Sequence, residues 1–154
     1  AIETLAQKGE QSGYKFPRPM IDKPGLNLSF SGLKTNVMNA IAGKFLTEQE
    51  KANIALEFSN AVIETLVIKS KRAIRSSGAK RIIVSGGVSA NLALREALQI
   101  AAAEEGCEAH FPSLTYATDN GAMIAYVGCK RLERGERHVS DFNIRPKWSL
   151  EQLN

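Results

Sequence analysis

The sequence predicts an α/β fold built on a small, mostly parallel sheet with flanking helices. A run rich in β-branched residues, 81–84, stops at the glycine pair Gly86 and Gly87, and a helical pattern begins soon after them at Asn91. Along the whole chain the predicted elements follow the order β-α-α-β-α-β-α, which is typical of parallel strands joined by helical crossovers. About three strands are therefore expected.

The first part of the chain is predicted to be helix and loop. The end of a helix is expected within residues 1–10. An ordered loop follows over 14–25, where three prolines restrict φ and prevent regular pairing. A short strand is predicted over 27–30. Residues 31–43 form a predicted helix, because leucine, valine and isoleucine recur there at helical spacing.

A capping box marks the start of the longest predicted helix. Thr47 is the expected cap, and the Glu50 side chain is expected to reach back to the Thr47 amide. Apolar residues recur at helical spacing from there to about Ser77, and Gly78 is a natural stop. We interpret this apolar stripe as core.

Strands and helices alternate in the second part of the chain. Residues 81–84 are predicted to form a buried strand, 107–111 another short strand, and 120–134 the last helix. The tail from His138 is expected to be irregular and anchored by Trp148, because a large aromatic side chain near a terminus usually packs.

The turn after the first of these strands is the strongest candidate for a binding site. Gly86 and Gly87 allow a positive φ and a close approach of the backbone to a ligand. The first N–H groups of the helix at Asn91 are unpaired and suit an anion or a ribose-phosphate. Ligands of open α/β sheets lie at the carboxyl ends of strands. The alternative is a purely structural turn with a polar cap.

A second helix start places a carboxylate at its beginning. Asp119 comes just before the apolar periodic part of the last predicted helix. It can act as a helix cap, a role that aspartate fills well. It can also face a metal ion or a polar substrate. The spacing of residues does not decide between the two.

Composition is that of an ordinary globular protein. The 154 residues suit a single domain, with 44% hydrophobic and 23% charged residues, and no apolar run approaches a membrane span. The net charge of +4 permits contact with RNA. Cys107 and Cys129 form no C-x-x-C and fit reduced thiols of a cytoplasmic protein. The basic residues gather in three clusters, which we interpret as solvated helix faces and helix ends: Lys69, Lys71, Arg72 and Arg75; Lys80 and Arg81; Arg131, Arg134 and Arg137.

Five segments, in order and spacing, resemble one family. They are Phe-Pro-Arg-Pro at 16–19, Leu-Ser-Phe-Ser-Gly-Leu-Lys-Thr at 28–35, the turn at 85–91, the stretch 118–126 and Arg-Pro-Lys-Trp at 145–148. The chain resembles the TsaD family, also called Gcp or YgjD, the tRNA N6-adenosine threonylcarbamoyltransferases. Asn27 is a departure, since many relatives carry aspartate there.

The resemblance implies a fold and a set of site residues. The chain is expected to be the C-terminal portion of a two-lobed ASKHA (actin/Hsp70-like) enzyme, without the lobe that carries a His-x-x-x-His motif and without the glycine-rich phosphate hairpin. His110 and His138 fit no such spacing. The two helix starts, at Asn91 and at Asp119, are expected to converge on one cleft. By resemblance the site residues are Asp119 as a metal ligand, Asn91 bonded to the nucleotide or carbamoyl group, Gly86 and Gly87 beside the adenosine, and Ser29, Ser31 and Gly32 lining the cleft.

The resemblance also implies a reaction and partners. The family enzyme transfers a threonylcarbamoyl group from threonylcarbamoyl-adenylate to N6 of the adenosine next to the tRNA anticodon, with iron or zinc held by two histidines of the other lobe and by Asp119. The isolated chain is expected to be inactive and to bind metal weakly. Expected partners are tRNA, a paralogous ASKHA subunit and a P-loop ATPase, in the cytoplasm and without a membrane.

Three alternatives remain open at this point. One is another ASKHA nucleotide-binding protein of the kinase type. Another is a metallopeptidase, since members of this glycoprotease family have been named O-sialoglycoprotein endopeptidase, although a His-Glu-x-x-His motif is absent from the sequence. The third is a non-enzymatic module that senses a nucleotide or docks a partner.

Overall fold

A computed structural model describes residues 2–137 and residue 149 of the chain. The described residues fall into two compact units, one ending at Thr118 and the other beginning at Asp119. The prediction of a single domain for the whole chain stays a prediction. The irregular tail from His138 and the anchor at Trp148 lie outside the described residues.

The first unit contains four helices and a parallel pair of strands. Within the described residues the elements are α1 (Ile2–Ala6), α2 (Ser31–Ile41), α3 (Glu48–Ser77), β1 (Arg81–Ile83), α4 (Leu92–Glu104) and β2 (Glu108–His110). Short 3₁₀ turns occupy Gly87–Ala90 and Leu114–Tyr116. The described part of the second unit contains α5 (Gly121–Glu133). No helix in the described ranges is both long and apolar enough to cross a bilayer.

The long helix α3 is the framework of the first unit. The predicted capping box is confirmed: the Glu50 N–H donates to Thr47 Oγ1 at 3.2 Å, and the Thr47 N–H donates to Glu50 Oε2 at 2.8 Å. Gly78 ends the helix in the left-handed region, with φ of 66°, where a side chain would be strained. Both ends of α3 are therefore determined by residues in their immediate neighbourhood.

Two apolar clusters pack against α3. The first joins Phe16, from the proline-containing loop, and Leu33, from α2, to Ile54 and Ala61 of α3. The second joins Ile74 near the end of α3 to Ala102 of α4 and to Cys107, directly before β2. The predicted apolar stripe of α3 thus divides its length between two different sets of neighbours.

The proline-containing loop is attached to α3 by polar contacts as well. The Arg18 guanidinium donates to both carboxylate oxygens of Glu64, at 2.6 and 3.0 Å, and also contacts Glu57. Further along α3, Lys69 and Arg72 donate to the backbone carbonyls of Lys23 and Gly25. These contacts satisfy loop carbonyls that have no sheet partner.

The sheet confirms the predicted fold class but differs in detail. β1 and β2 are parallel, with Arg81 opposite Glu108 and Ile83 opposite His110. About three strands were expected, and the described residues form two. The predicted strand at 27–30 is wrong, because Phe30 has ψ of 2° and packs beside the first cluster instead of pairing.

The prediction that the strand at residues 81–84 is buried is also wrong. Ile82 packs against the second cluster, whereas Ile83 is 79% exposed. Successive side chains of a strand point to opposite faces, so only one face of this pair of strands meets a helical layer within the first unit.

Candidate functional site

The glycine turn lies where the sequence predicted it, at the carboxyl end of β1. After Ile83 the Val84 N–H still pairs with the His110 carbonyl at 2.9 Å, and the chain then leaves the sheet. Gly86 has φ of 92° and ψ of 169°, a conformation that side chains rarely adopt. The Ser89 N–H closes the turn on the Gly86 carbonyl at 2.9 Å. The predicted need for a positive φ is confirmed at Gly86.

Open space adjoins both glycines. A Cβ atom built on Gly86 or on Gly87 meets no heavy atom within 4 Å among its described surroundings. Both residues are exposed. The surface of the turn can therefore be approached closely by a flat ligand.

Asn91 caps α4 and keeps hydrogen-bonding capacity. Its Oδ1 atom accepts from the Leu94 N–H at 2.8 Å, so the polar-cap alternative describes one half of this side chain correctly. Its Nδ2 amide donates to no group in the part of the chain that the structure describes, and the residue is half-buried. Asn91 can thus cap the helix with its oxygen and donate to a ligand with its nitrogen.

Glu3 also contacts the start of α4, although no motif in the sequence indicates it. The N–H of Leu92, the first helical residue of α4, donates to Glu3 Oε1 at 2.9 Å. A carboxylate is favourable at a helix N-terminus, where the unpaired N–H groups carry partial positive charge. The contact joins residues 89 positions apart. No local pattern around Glu3 signals it.

The segment with Ser29, Ser31 and Gly32 lies elsewhere on the first unit. Ser29 and Gly32 are exposed, and Ser31 is the first residue of α2. Ser31 also lines an apolar groove of about 600 Å³ between α1, α2 and α3. The lining of this groove does not include Gly86, Gly87 or Asn91.

Helix α1 is the element that contacts both places. Its residues Ile2 and Leu5 line the groove beside Ser31, whereas Glu3 reaches the start of α4. The structure therefore places Glu3 at the start of α4, next to Asn91, which ends the turn that contains Gly86 and Gly87. The predicted role of the Ser29–Gly32 segment in the same cleft stays a prediction.

Asp119 begins the second unit and is exposed. The helix cap predicted as its alternative role belongs to its neighbour instead, since Asn120 Oδ1 accepts from the Met123 N–H at 3.3 Å. This leaves the Asp119 carboxylate outside the capping geometry of α5. Because Asp119 and Asn91 belong to different units, their expected convergence on one cleft stays a prediction.

The donor set for a metal ion is incomplete in the described ranges. Over residues 2–137 and 149, no three histidine, cysteine, aspartate or glutamate side chains come together as a metal site would require. Iron and zinc sites need about three or more protein ligands. The described residues alone therefore do not fit a bound metal ion.

The first basic cluster is occupied with contacts inside the first unit. Lys71 pairs with Glu104 at 2.7 Å and Arg75 with Glu105 at 2.7 Å, which ties α3 to the end of α4. Lys69 is only 4% exposed, so its interpretation as part of a solvated face is wrong. Burial lowers the pKa of Lys69, and the neighbouring Arg72 charge lowers it further. These cationic side chains are engaged in contacts that stabilise the fold, so they are not free to bind a partner.

Comparison with known families identifies one family that matches most of the chain. A family model described as TsaD, tRNA N6-adenosine threonylcarbamoyltransferase, matches residues 1–126. The match includes Glu3, the Ser29–Gly32 segment, the glycine turn, Asn91 and Asp119. The two-stranded parallel sheet with flanking helices is consistent with part of an ASKHA-like lobe. With most of its length matched, including the turn that forms the candidate site, the chain belongs to the TsaD family.

Proposed function

We propose that this chain forms the adenosine-binding wall of an enzyme that transfers a threonylcarbamoyl group from threonylcarbamoyl-adenylate to N6 of the adenosine next to the tRNA anticodon. Family membership supports a transferase of tRNA modification. The observation that carries the finer proposal is the turn from Gly86 to Asn91, with a positive φ at Gly86, an open surface and an Asn91 amide nitrogen that donates to no group among the described residues.

The turn suits the nucleoside part of the adenylate better than its phosphate. Of the α4 N-terminal N–H groups, that of Leu92 already meets Glu3 and that of Leu94 meets Asn91. A phosphate placed there would face the Glu3 carboxylate, which repels it. A carboxylate beside a glycine turn is instead a good acceptor for ribose hydroxyls. The adenine ring can then lie over Gly86 and Gly87.

The proposed chemistry is acyl transfer. The N6 nitrogen of tRNA adenosine forms a bond to the carbamoyl carbon, the bond from that carbon to the phosphate oxygen breaks, and AMP leaves while the amine loses a proton to solvent or a base. Holding two large substrates in reach of each other lowers the barrier, because it removes their translational freedom before reaction. Gly86, Gly87, Asn91 and Glu3 contribute by binding and orienting the adenylate.

The proposal also includes a metal ligand, macromolecular partners and candidate phosphate contacts. Asp119 supplies one ligand to iron or zinc, and two histidines outside these residues supply others. Partners are tRNA, a paralogous ASKHA subunit and a P-loop ATPase, in the cytoplasm. Since the first basic cluster is engaged internally, the exposed Lys80 and Arg81 are better candidates for phosphate contacts. The chain alone is inactive.

The match to a transferase family weighs against a kinase of the same fold, which would be expected to match a different family description. The peptidase name has been given to members of this same family, so the argument against a metallopeptidase is instead that the sequence contains no His-Glu-x-x-His motif. A non-enzymatic nucleotide sensor would use the same turn, so nucleotide binding does not distinguish it from the transferase. An assay of threonylcarbamoyl transfer does distinguish them.

Calorimetric titration of the chain with AMP tests the adenosine site. Asn91→Ala removes both the donor and the cap and should raise the dissociation constant about 5- to 150-fold, the equivalent of roughly 1–3 kcal/mol for a buried polar partner. Thr47→Ala is the matched control, because it removes the cap of α3, at the capping box far along the chain from the turn. Adenosine should retain most of the affinity of AMP. Equal affinities for AMP in the wild type and in Asn91→Ala would contradict the proposal.

A further inference from the structure

Arg95 connects the glycine turn to the segment that follows β2. It lies one residue beyond Leu94 in the first turn of α4 and is half-buried. Its Nε atom donates to the Ser89 carbonyl, and one terminal nitrogen donates to the Pro112 carbonyl at 2.8 Å. The guanidinium carbon lies 5.1 Å from the centre of the Phe111 ring, over its face. One side chain thus makes three contacts in two separate segments.

Both segments leave the sheet at the same edge. β1 and β2 are parallel neighbours ending at Ile83 and His110, which are directly paired. Ser89 lies in the turn after β1, and Pro112 lies two residues after the end of β2. No backbone hydrogen bond between residues 85–90 and residues 111–117 occurs among the described contacts. Arg95 therefore bridges two loops that the strands themselves do not hold together beyond Val84.

The chemistry of the guanidinium suits this bridge. It is planar, always charged and carries donors at fixed positions, so two simultaneous carbonyl contacts set the separation of the carbonyls. Its face also stacks on an aromatic ring, which fixes the plane. A lysine ammonium can reach one carbonyl but cannot reproduce the stacked, two-point geometry.

We propose that Arg95 is a positioning residue that fixes the Gly86–Asn91 turn against the Phe111–Pro112 segment and so shapes the adenosine site. The part concerning adenosine rests on the proposed function, whereas the part concerning the turn does not. Arg95 need not touch the nucleotide to act in this way. It holds in place the backbone that contacts the nucleotide.

Amide hydrogen exchange followed by NMR tests the effect on the turn. The Ser89 and Asn91 N–H groups, bonded within the turn to the Gly86 and Val88 carbonyls, are the reporters. In Arg95→Gln their exchange should accelerate at least about 10-fold relative to the wild type, with a smaller acceleration in Arg95→Lys. The amides in the middle of α3 should keep their wild-type rates.

Arg75→Gln is the matched control. Arg75 ties the other end of α4 to α3 through Glu105 and is exposed. This variant should leave exchange of the Ser89 and Asn91 amides unchanged. If Arg95→Gln accelerates their exchange no more than Arg75→Gln does, Arg95 does not hold the turn and the proposal is overturned.

Titration with AMP tests the effect on the site. Arg95→Gln should raise the dissociation constant about 10-fold, Arg95→Lys should restore part of the affinity, and the urea midpoints identify any general loss of stability. Faster exchange at the turn with unchanged AMP affinity would overturn the role of Arg95 in the site. Faster exchange in a chain whose wild type binds no AMP would support the holding of the turn while refuting the proposed function.

Discussion

Leu33 is the side chain whose truncation should do most damage to the packing of α2 on α3. It is 0% exposed and belongs to the cluster with Phe16, Ile54 and Ala61. Leu33→Ala removes about three methylene equivalents, worth roughly 2.4 kcal/mol of transfer free energy at about 0.8 kcal/mol each. Incomplete collapse of the resulting cavity adds to this, so the expected loss is about 3–4 kcal/mol in the free energy of unfolding.

Urea unfolding at neutral pH, followed by circular dichroism, measures the loss. Met38→Ala is the matched control, since Met38 lies on the same helix but is 55% exposed. It should cost less than about 1 kcal/mol, because little apolar area is buried there. A loss for Leu33→Ala that is below about 1 kcal/mol, or equal to that of Met38→Ala, would refute the assignment of this core.

Three further predictions concern an ion pair, a buried hydroxyl group and the binding of metal. Hydrogen bonding to Arg18 lowers the pKa of Glu64, so this carboxylate stabilises the fold above roughly pH 5 and loses that effect as the pH falls below roughly 4. In urea unfolding at pH 7, Glu64→Gln should therefore be less stable than the wild type, by under about 1 kcal/mol because Glu64 is exposed. This difference in the free energy of unfolding should shrink by pH 3, and an equal difference at both pH values would contradict the prediction. Ser89 Oγ is buried and has no hydrogen-bond partner among the described residues. Ser89→Ala should therefore raise the midpoint of thermal unfolding, by the equivalent of about 1 kcal/mol. A lower midpoint would show that the hydroxyl has a partner. Dialysis against iron(II) or zinc should leave the chain without stoichiometric metal. In an active preparation of the proposed transferase, Asp119→Ala should abolish transfer to tRNA and preserve the circular dichroism spectrum; wild-type turnover in that variant would exclude Asp119 as a ligand.

Features determined by neighbouring residues could be predicted from the sequence. The capping box of α3 and its end at Gly78 depend on side chains and φ preferences within one turn of the helix. The cap at Asn91 and the positive φ of Gly86 are local in the same sense. These features suffice to place the candidate turn at the end of a strand, whereas its role as a binding site stays a prediction.

Features determined by distant residues were missed or wrong. Carbonyls of the loop before residues 27–30 accept from Lys69 and Arg72, more than 40 positions away, and the expected strand has no pairing partner among the described residues. The exposure of Ile83 depends on which face of the sheet a helical layer covers, and a run of apolar residues does not reveal this. The contact of Glu3 with the start of α4 spans 89 positions. Periodicity and turn chemistry carry no signal for such pairs.

The Glu3 contact changes the expected orientation of the ligand at the turn. From the sequence, the start of α4 is a free helix N-terminus with partial positive charge, and a phosphate is its natural partner. With a carboxylate already 2.9 Å from the Leu92 N–H, that charge is largely compensated. A second anion at about 4 Å from the first would be repelled by roughly 1 kcal/mol in water and up to about 4 kcal/mol near a protein surface. Under the proposed function, we therefore expect the neutral adenosine at Gly86 and Gly87. The phosphate with its threonylcarbamoyl group would then extend away from α4, toward the second substrate.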